Sequence, residues 1–526
     1  MAVAKKFYSI FQQYFSIISN DFFKFLFIEL FFNLFNNRFY SKNLNKPKEE
    51  ILFDNFESLN SVSYRYVFLK TISNKFNLKL KYFNLGYNFL YFVIYCSFGA
   101  SNISTLLFKI KNFFKIKSIY KEEILKIKSK KDLFKFKYKN INIGWDIYES
   151  YLRRFNEPTV KLDDSNFHKL FKEALTLYLF WENYLKKKKV KYIFTSHRMY
   201  IETNILNRLA IKNKITILTL GNGGSMMKFK TEKLSIHRYY RKLFKKLDKI
   251  EKQKAKKIGK KRILLRLSGK KSVDMNYSTK SAFSKKKKSF SHKFSKNKLN
   301  ILICTHDFYD NPHGYGKNLF LDFYDWLIFL SKISHKTNYN WYIKPHPDYT
   351  PGTIETILEI NKKFKNISFI NPNTKFNDIS ENIDFALTCH GTIGHELPFL
   401  GITVINANIN NPHCSYNFNY TPKNLKSYKD KLLNLSKKDK INVNKSDIYK
   451  FYYMHYFYLK TNLFKNLRVH ENKIKGISFL RYTQKMYQNL ELESDIKKIK
   501  EFLLNNNSRY FDDKKKEIIF SKICNF

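Results

Sequence analysis

The chain has 526 residues, 44% hydrophobic and 27% charged, values that exclude a wholly disordered chain and leave room for two or more domains. Lys and Arg outnumber Asp and Glu 97 to 43, a net charge of +54, which favours anionic partners (nucleic acid, anionic lipid, anionic sugars) and says nothing of fold. The five cysteines show no CxxC spacing, which argues against a zinc ribbon or a disulfide framework and suits a reducing cytoplasm.

The positive charge is spread along the chain, so most of it reads as solvated surface. The densest runs are Lys186 to Lys189 and Lys285 to Lys288. The start, Met1-Ala2-Val3-Ala4-Lys5-Lys6, lacks the apolar core and cleavage site of a signal peptide. Phe22 to Phe35 is apolar, but Lys24 and Glu29 interrupt it and it is too short to span a bilayer. It reads as a core or partner-packing helix, with an interfacial helix as the rival. Residues 1–80 as a whole read as a helical extension. Tyr82 to Phe108 carries no charge and is long enough to span, yet it contains Asn84, Asn88, Gly99 and Asn102. A buried strand from Phe89 to Tyr95, a turn and a helix fit better, so no transmembrane helix is expected.

Residues 85–240 read as an α/β unit. Further strands are expected at Tyr138 to Ile143, Lys191 to Thr195 and Ile215 to Leu220. Phe167 to Leu185 has apolar residues at helical spacing. Residues 241–298 turn basic and then Ser/Lys-rich, which reads as a linker with a flexible part. Residues 299–440 form a second α/β unit, with strands at Asn300 to Thr305, Trp341 to Lys344, Ile367 to Ile370, Phe385 to Thr388 and Thr403 to Asn406. Residues 441–526 read as a helical extension. The alternation predicts an α/β fold of two Rossmann-like domains with parallel sheets.

Chemistry concentrates at strand ends, where open α/β sheets bind ligands. Lys344-Pro345-His346-Pro347 ends one strand. Its prolines hold His346 in an extended frame, and a Lys and a His there suit a pyrophosphate. His390-Gly391-Thr392-Ile393-Gly394 precedes a short helix. The glycines allow close backbone approach, and the helix start and the Thr392 hydroxyl suit phosphate. His390 can donate to a phosphate oxygen or a leaving group. Glu396, one turn on, suits a sugar hydroxyl better than a phosphate. The bland alternatives are a Gly-containing turn and a stiff turn with an exposed His. His306, Asp307 and His313 read as cleft candidates before metal ligands, because their spacing is irregular; no metal is expected. In the first unit Ser196-His197 and Asp146 end strands, and His197 or Asp146 could act as a general base. A hydrogen-bonded His capping the next helix is as good a reading of His197.

The Lys344–Pro347 motif, followed by His390 to Glu396 and Gly401-Ile402-Thr403-Val404-Ile405, resembles the carboxyl-terminal domain of bacterial capsule and surface-polysaccharide glycosyltransferases of the GT-B fold. The wider group includes Kdo transferases and CDP-glycerol glycerophosphotransferases. Ile143 to Arg153 and Ser196 to Tyr200 resemble the amino-terminal domain. The resemblance implies a donor site made by His346, His390, Thr392 and Glu396 in the second domain and an acceptor facing the first. It implies no cofactor beyond a nucleotide-sugar co-substrate, CMP-linked donors being among the candidates, and no bound metal. A glycan or glycolipid acceptor goes with it, while the cysteine usage and the positive surface suit a cytoplasmic location, peripheral on the inner face of the membrane. In the resembled pattern an acidic residue follows Ile-Gly directly; here Trp145 stands there and Asp146 comes one later. The rivals are a glycerophosphotransferase, a non-catalytic assembly component and a nucleic-acid binder. The last is disfavoured because no recognisable module is present.

Overall fold

The computed structural model describes residues 48–55, 58–83, 89–220, 226–229, 236–271, 273–274, 280–283, 294, 296–460, 463–471 and 473–504. The Phe22 to Phe35 segment and the Lys285 to Lys288 run lie outside them. Two six-stranded sheets carry the fold. The first is built from β1 (Glu49–Asp54), β2 (Leu78–Phe83) and β3 (Ser101–Ile103). A small hairpin of β4 (Lys137–Tyr138) and β5 (Ile141–Asn142) stands apart, and β6 (Val190–Phe194), β7 (Thr216–Leu220) and β8 (Met226–Phe229) complete the sheet. The second holds β9 (Asn300–Cys304), β10 (Asn340–Lys344), β11 (Ile367–Phe369), β12 (Phe385–Thr388), β13 (Thr403–Asn406) and β14 (Asn419–Tyr420).

The strand orders are β3-β2-β1-β6-β7-β8 and β11-β10-β9-β12-β13-β14. All pairings within them are parallel except β7 with β8. In each sheet the chain steps outward for three strands, returns to the centre and steps outward on the other side. The order therefore reverses between β1 and β6, and again between β9 and β12. A crevice opens at the carboxyl ends of the strands at such a reversal.

The five strands expected in the second unit are present as read. Three expectations for the first unit are corrected. Residues 1–80 are not a helical extension throughout: β1 and β2 come from this stretch, with the helix Leu59–Phe76 between them, so the first domain begins before residue 85. Ile51, Leu52 and Phe53 are fully buried. A parallel strand covered on both faces is a continuous apolar run, and periodicity cannot separate that from a buried helix. The same ambiguity worked the other way at Phe89 to Tyr95, which lies in the helix Phe89–Ser97; the strand β3 follows after a turn with Gly99 at φ 77°. The strand expected over Tyr138 to Ile143 shrinks to the β4–β5 hairpin, turned by Lys139 and Asn140 at positive φ.

The basic stretch read as a linker is partly structural. Its helix Lys249–Leu267 packs along the helix Lys445–Tyr456. Gly259 permits this approach, because a Cβ there would meet the Tyr449 carbonyl oxygen at 2.1 Å. The chain then returns to the first domain, where the helices Gly476–Gln488 and Glu493–Leu504 cover Leu59–Phe76. Asp322, fully buried, ties the domains together. It caps the helix Phe323–Ser334 and accepts hydrogen bonds from the hydroxyls of Tyr148 and Thr159, the latter at 2.6 Å. Among the described residues no helix is long and apolar enough to cross a membrane.

Candidate functional site

The second reversal point gathers the motifs of the carboxyl-terminal half. Thr305-His306 follow β9, Pro345-His346-Pro347 follow β10, and Cys389-His390-Gly391-Thr392 follow β12. The two motifs expected at neighbouring strand ends in fact flank β9. The His306 and His390 rings lie 4.8 Å apart across the reversal. Thr305, Lys344, His346, Thr392 and Glu396 line one pocket. Its remaining wall comes from the connecting segment, as Arg266, Lys270 and residues 280–283.

Arg266 changes the reading of Glu396. The guanidinium Nε donates to Glu396 Oε1, Nη2 to Thr392 Oγ1 at 3.3 Å, and Nη1 to the Val273 carbonyl at 3.1 Å. Burial works to lower the Arg266 pKa, but Glu396, with Tyr456 and Tyr452, outweighs it and holds the guanidinium charged. Glu396 is thus the partner of a buried cation rather than a carboxylate open to a sugar hydroxyl. Sequence reasoning missed Arg266: it sits in a Lys/Arg-rich helix 130 residues from its partner, and nothing local marks it.

His346 Nδ1 accepts from the Asp348 backbone N–H at 3.0 Å, which leaves the ring proton on Nε2. Burial, then the neighbouring His306, lower its pKa to about 4. His346 is therefore a neutral donor near pH 7, not a cation. Lys344 is buried over the Phe376 ring, and its Nζ donates to the Pro372 carbonyl at 3.0 Å. Burial pushes its pKa down to about 8, with Cys304 opposing and Lys375 adding. His390 is enclosed by His306, Tyr315 and Phe323. Burial, with His306, His313 and His413, holds it well below the usual imidazole range, and its buried Nδ1 has no hydrogen-bond partner.

The glycines have a different cause from the one expected. Neither Gly391 nor Gly394 has positive φ. A Cβ on Gly394 would meet His413 Cε1 at 2.4 Å, so this position is small for packing. The helix Ile393–Phe399 has only seven residues, and it offers less dipole than the motif suggested. Asp307 accepts from Thr350 Oγ1 at 2.7 Å and from the Tyr309 N–H at 3.2 Å, which fixes its own loop. His313 is buried at the domain junction, its Nδ1 3.2 Å from Glu149 Oε1. Burial raises the Glu149 pKa, against the hydrogen bonds from His313 and Trp145. Among the described residues no group of three or more His, Cys, Asp or Glu side chains is placed to hold a metal.

The first reversal point carries its own constellation. Asp54 ends β1, and Ser196-His197 follow β6. Asp54 Oδ2 accepts from the Ser196 N–H at 2.7 Å and from the Ser196 hydroxyl, and Oδ1 accepts from Arg65 Nη2 at 2.7 Å. Ser196 Oγ lies 2.8 Å from His197 Nδ1. With the hydroxyl proton directed to the carboxylate, Nδ1 is the donor to Oγ, and Nε2 carries the lone pair of a base. His197 is solvent-exposed by surface area, so its partial burial lowers its pKa only against the opposing pull of Asp54. Asp54 was not expected, because β1 was not. Asp146, expected as a second base, lies fully buried in the helix Gly144–Phe155, held by Arg208 Nε at 2.7 Å and Asn204 Nδ2 at 2.7 Å. It anchors that helix and is not presented to a substrate. Tyr200, just after His197, has φ 65° and opens a π-helical turn. Strain of this kind in a bulky residue persists where the surroundings enforce it, often beside a site. Met199 Sδ lies 3.2 Å from Asn311 Nδ2 of the second domain, so the loop after β6 touches the loop after β9.

No family model and no curated protein matches the chain. Solved structures similar to it include the Thermosulfurimonas dismutans KpsC β-Kdo 2,4 transferase, at 12% identity over 51% of this chain and 81% of that one, TM-score 0.32. A putative UDP-N-acetylglucosamine 2-epimerase from Listeria monocytogenes shares 9% identity over 81% of this chain and 96% of that one, TM-score 0.23. The wall teichoic acid polymerase TagF shares 8% over 90% and 98%, TM-score 0.20.

Proposed function

We propose that the protein is a transferase that moves a nucleotide-activated sugar onto a surface-polysaccharide acceptor. The observation that supports this reading is the contact between the loops after β6 and β9, which joins a strand-end site presenting a base to a domain whose strand ends gather hydrogen-bond donors for a phosphate. In the second domain, Arg266, Lys344, Thr392 and the Nε2–H of His346 offer cationic and neutral donors to a nucleotide phosphate. Arg266 also neutralises Glu396, so the pocket tolerates an anion. In the first domain, His197 takes the proton of the acceptor hydroxyl at Nε2. The acceptor oxygen forms the new bond at the anomeric carbon as the bond to the phosphate oxygen breaks. The pocket's donors receive the departing charge.

The test is thermal stabilisation of the pure protein by CMP, CDP, UDP and their sugar or glycerol conjugates. A ligand that binds only the folded state raises Tm by mass action. A rise of a few degrees with one nucleotide class, abolished by His346→Ala and by Lys344→Met, supports the donor site and names its class. A rise confined to CDP-glycerol redirects the reading to glycerophosphate transfer. No rise with any nucleotide overturns the proposal.

A further inference from the structure

Among the described residues, exposed apolar side chains concentrate on two consecutive helices, Leu106–Lys111 and Phe113–Ile124. Leu106 is 54% exposed, Leu107 70%, Ile110 64%, Phe113 49% and Phe114 83%. The first of these helices buries none of its residues. A helix of sequence LLFKIK gains nothing from such exposure in water, where each large apolar side chain forgoes its burial free energy. The spacing 106, 107, 110 puts three of these side chains on one face of the first helix, and Phe113 and Phe114 open the second helix after the break at Asn112. Lys109, Lys111, Lys115, Lys117 and Lys121 are interleaved and exposed, and no acidic residue occurs from 101 to 121. Lys172 adds a cation over the Phe113 ring at 5.0 Å.

We infer that this surface seats the protein on an anionic lipid bilayer. Apolar side chains flanked by lysines match the two phases of a membrane interface, hydrocarbon below and anionic headgroups beside it. A protein partner would have to supply a groove and carboxylates together; an anionic bilayer supplies hydrocarbon and headgroup anions everywhere. The net charge of +54 adds long-range attraction of the same sign. The placement also suits a lipid-linked substrate. The first apolar helix begins just past β3, and β3, β2, β1 and β6 are adjacent parallel strands whose carboxyl ends share one sheet edge. Three strand spacings separate β3 from β6, so His197 lies on the order of 15 Å along that edge. The docking itself does not depend on the reaction proposed above.

The test is co-sedimentation of the full chain with vesicles of phosphatidylcholine alone and of phosphatidylcholine with 30% phosphatidylglycerol, a composition chosen at roughly the anionic content that gives a useful surface potential. Binding is expected to the anionic vesicles and to fall with salt. Leu107→Ser and Phe114→Ser are each expected to lower the partition coefficient about tenfold, and Lys111→Glu several-fold. Since all three side chains are exposed, the variants should keep the parent melting curve and nucleotide shift. Equal sedimentation of parent and variants overturns the proposal. So does absence of binding to anionic vesicles at low salt. Parent-only dimerisation in light scattering, with vesicle binding unchanged by the substitutions, reassigns the surface to a second copy of the chain and also overturns it. Failure of the nucleotide test alone leaves this result standing.

Discussion

Asp54 shows how one carboxylate sets the state of a residue it does not touch. It holds the Ser196 hydroxyl, and through it the Nδ1 side of His197. Asp54 raises the His197 pKa, while Arg65 and Arg153 lower it. Asp54→Asn removes the negative charge and leaves Arg65 uncompensated. The imidazolium is then less favoured, so the His197 pKa falls further and the acid limb of any His197-dependent rate moves to lower pH. Imidazole NMR titration of the variant and parent checks the direction without a substrate. A rise, or no change, contradicts the relay. Turnover should also fall, because the tautomer is no longer fixed; loss of an orienting carboxylate costs orders of magnitude in hydrolytic triads. His197 and Ser196 were legible in the sequence as a strand-end pair. Asp54 was not: its meaning depends on β1 lying beside β6, a contact 142 residues apart. Arg266 shares this defect. Local chemistry marks the residues that a motif contains and misses those that the fold delivers to it.

At the scale of elements, the second sheet was readable and the first only in part. The strands of the second sheet are bounded by turn residues and Pro, and their ends carry the motifs. In the first sheet, apolar runs rich in Phe, Tyr and Ile served helices and strands alike, and composition could not divide them. The helix after β12 illustrates the finer limit. Its position was legible, but the reason for Gly394 was not, since His413 arrives from a later loop. Gly394→Ala is expected to destabilise the protein by roughly 1–3 kcal/mol, the usual cost of overpacking a close-fitted site. The contact is with a buried, neutral imidazole that also pairs with His395 at 3.0 Å. His413→Ala should therefore relieve part of that cost in the double variant, as coupled neighbours do. Urea denaturation of the four-member cycle measures this. Strict additivity of the two substitutions would show that the close approach to His413 does not constrain position 394.

At the scale of the molecule, the chain does not divide where its composition changes. Read from the sequence, residues 441–526 are a helical extension. In the structure Leu463, Phe464, Leu467, Phe479, Leu480, Met486, Ile499 and Phe502 are buried in one cluster with Ile51, Phe53, Phe68 and Leu80 of the first domain. The first domain is thus completed by residues that follow the second. A fully buried Leu or Phe contributes about 1.5–3 kcal/mol. Even discounted for a compact unfolded state, the eight listed side chains contribute roughly 10 kcal/mol, comparable with the whole stability of a typical domain. A chain ended after Lys460 is therefore expected to lose the cooperative unfolding of its first domain, while β9 to β14 keep their protection. Hydrogen exchange read by mass spectrometry distinguishes the halves: β1, β2 and the helix Leu59–Phe76 should exchange rapidly in the shortened chain, and Asn300–Asn406 slowly. Adding residues 463–504 back as a separate segment should restore protection to β1. Full protection of β1 in the shortened chain would show that the returning helices only cover a domain already stable without them. Because the same return passage runs from the helix that packs against Arg266's helix to the back of the His197 sheet, the cut should also disturb the register of the two strand-end sites across the cleft. Nucleotide stabilisation should then survive in the second domain while turnover is lost, separating the donor pocket, which needs its own sheet and the connecting segment, from the reaction, which needs both domains.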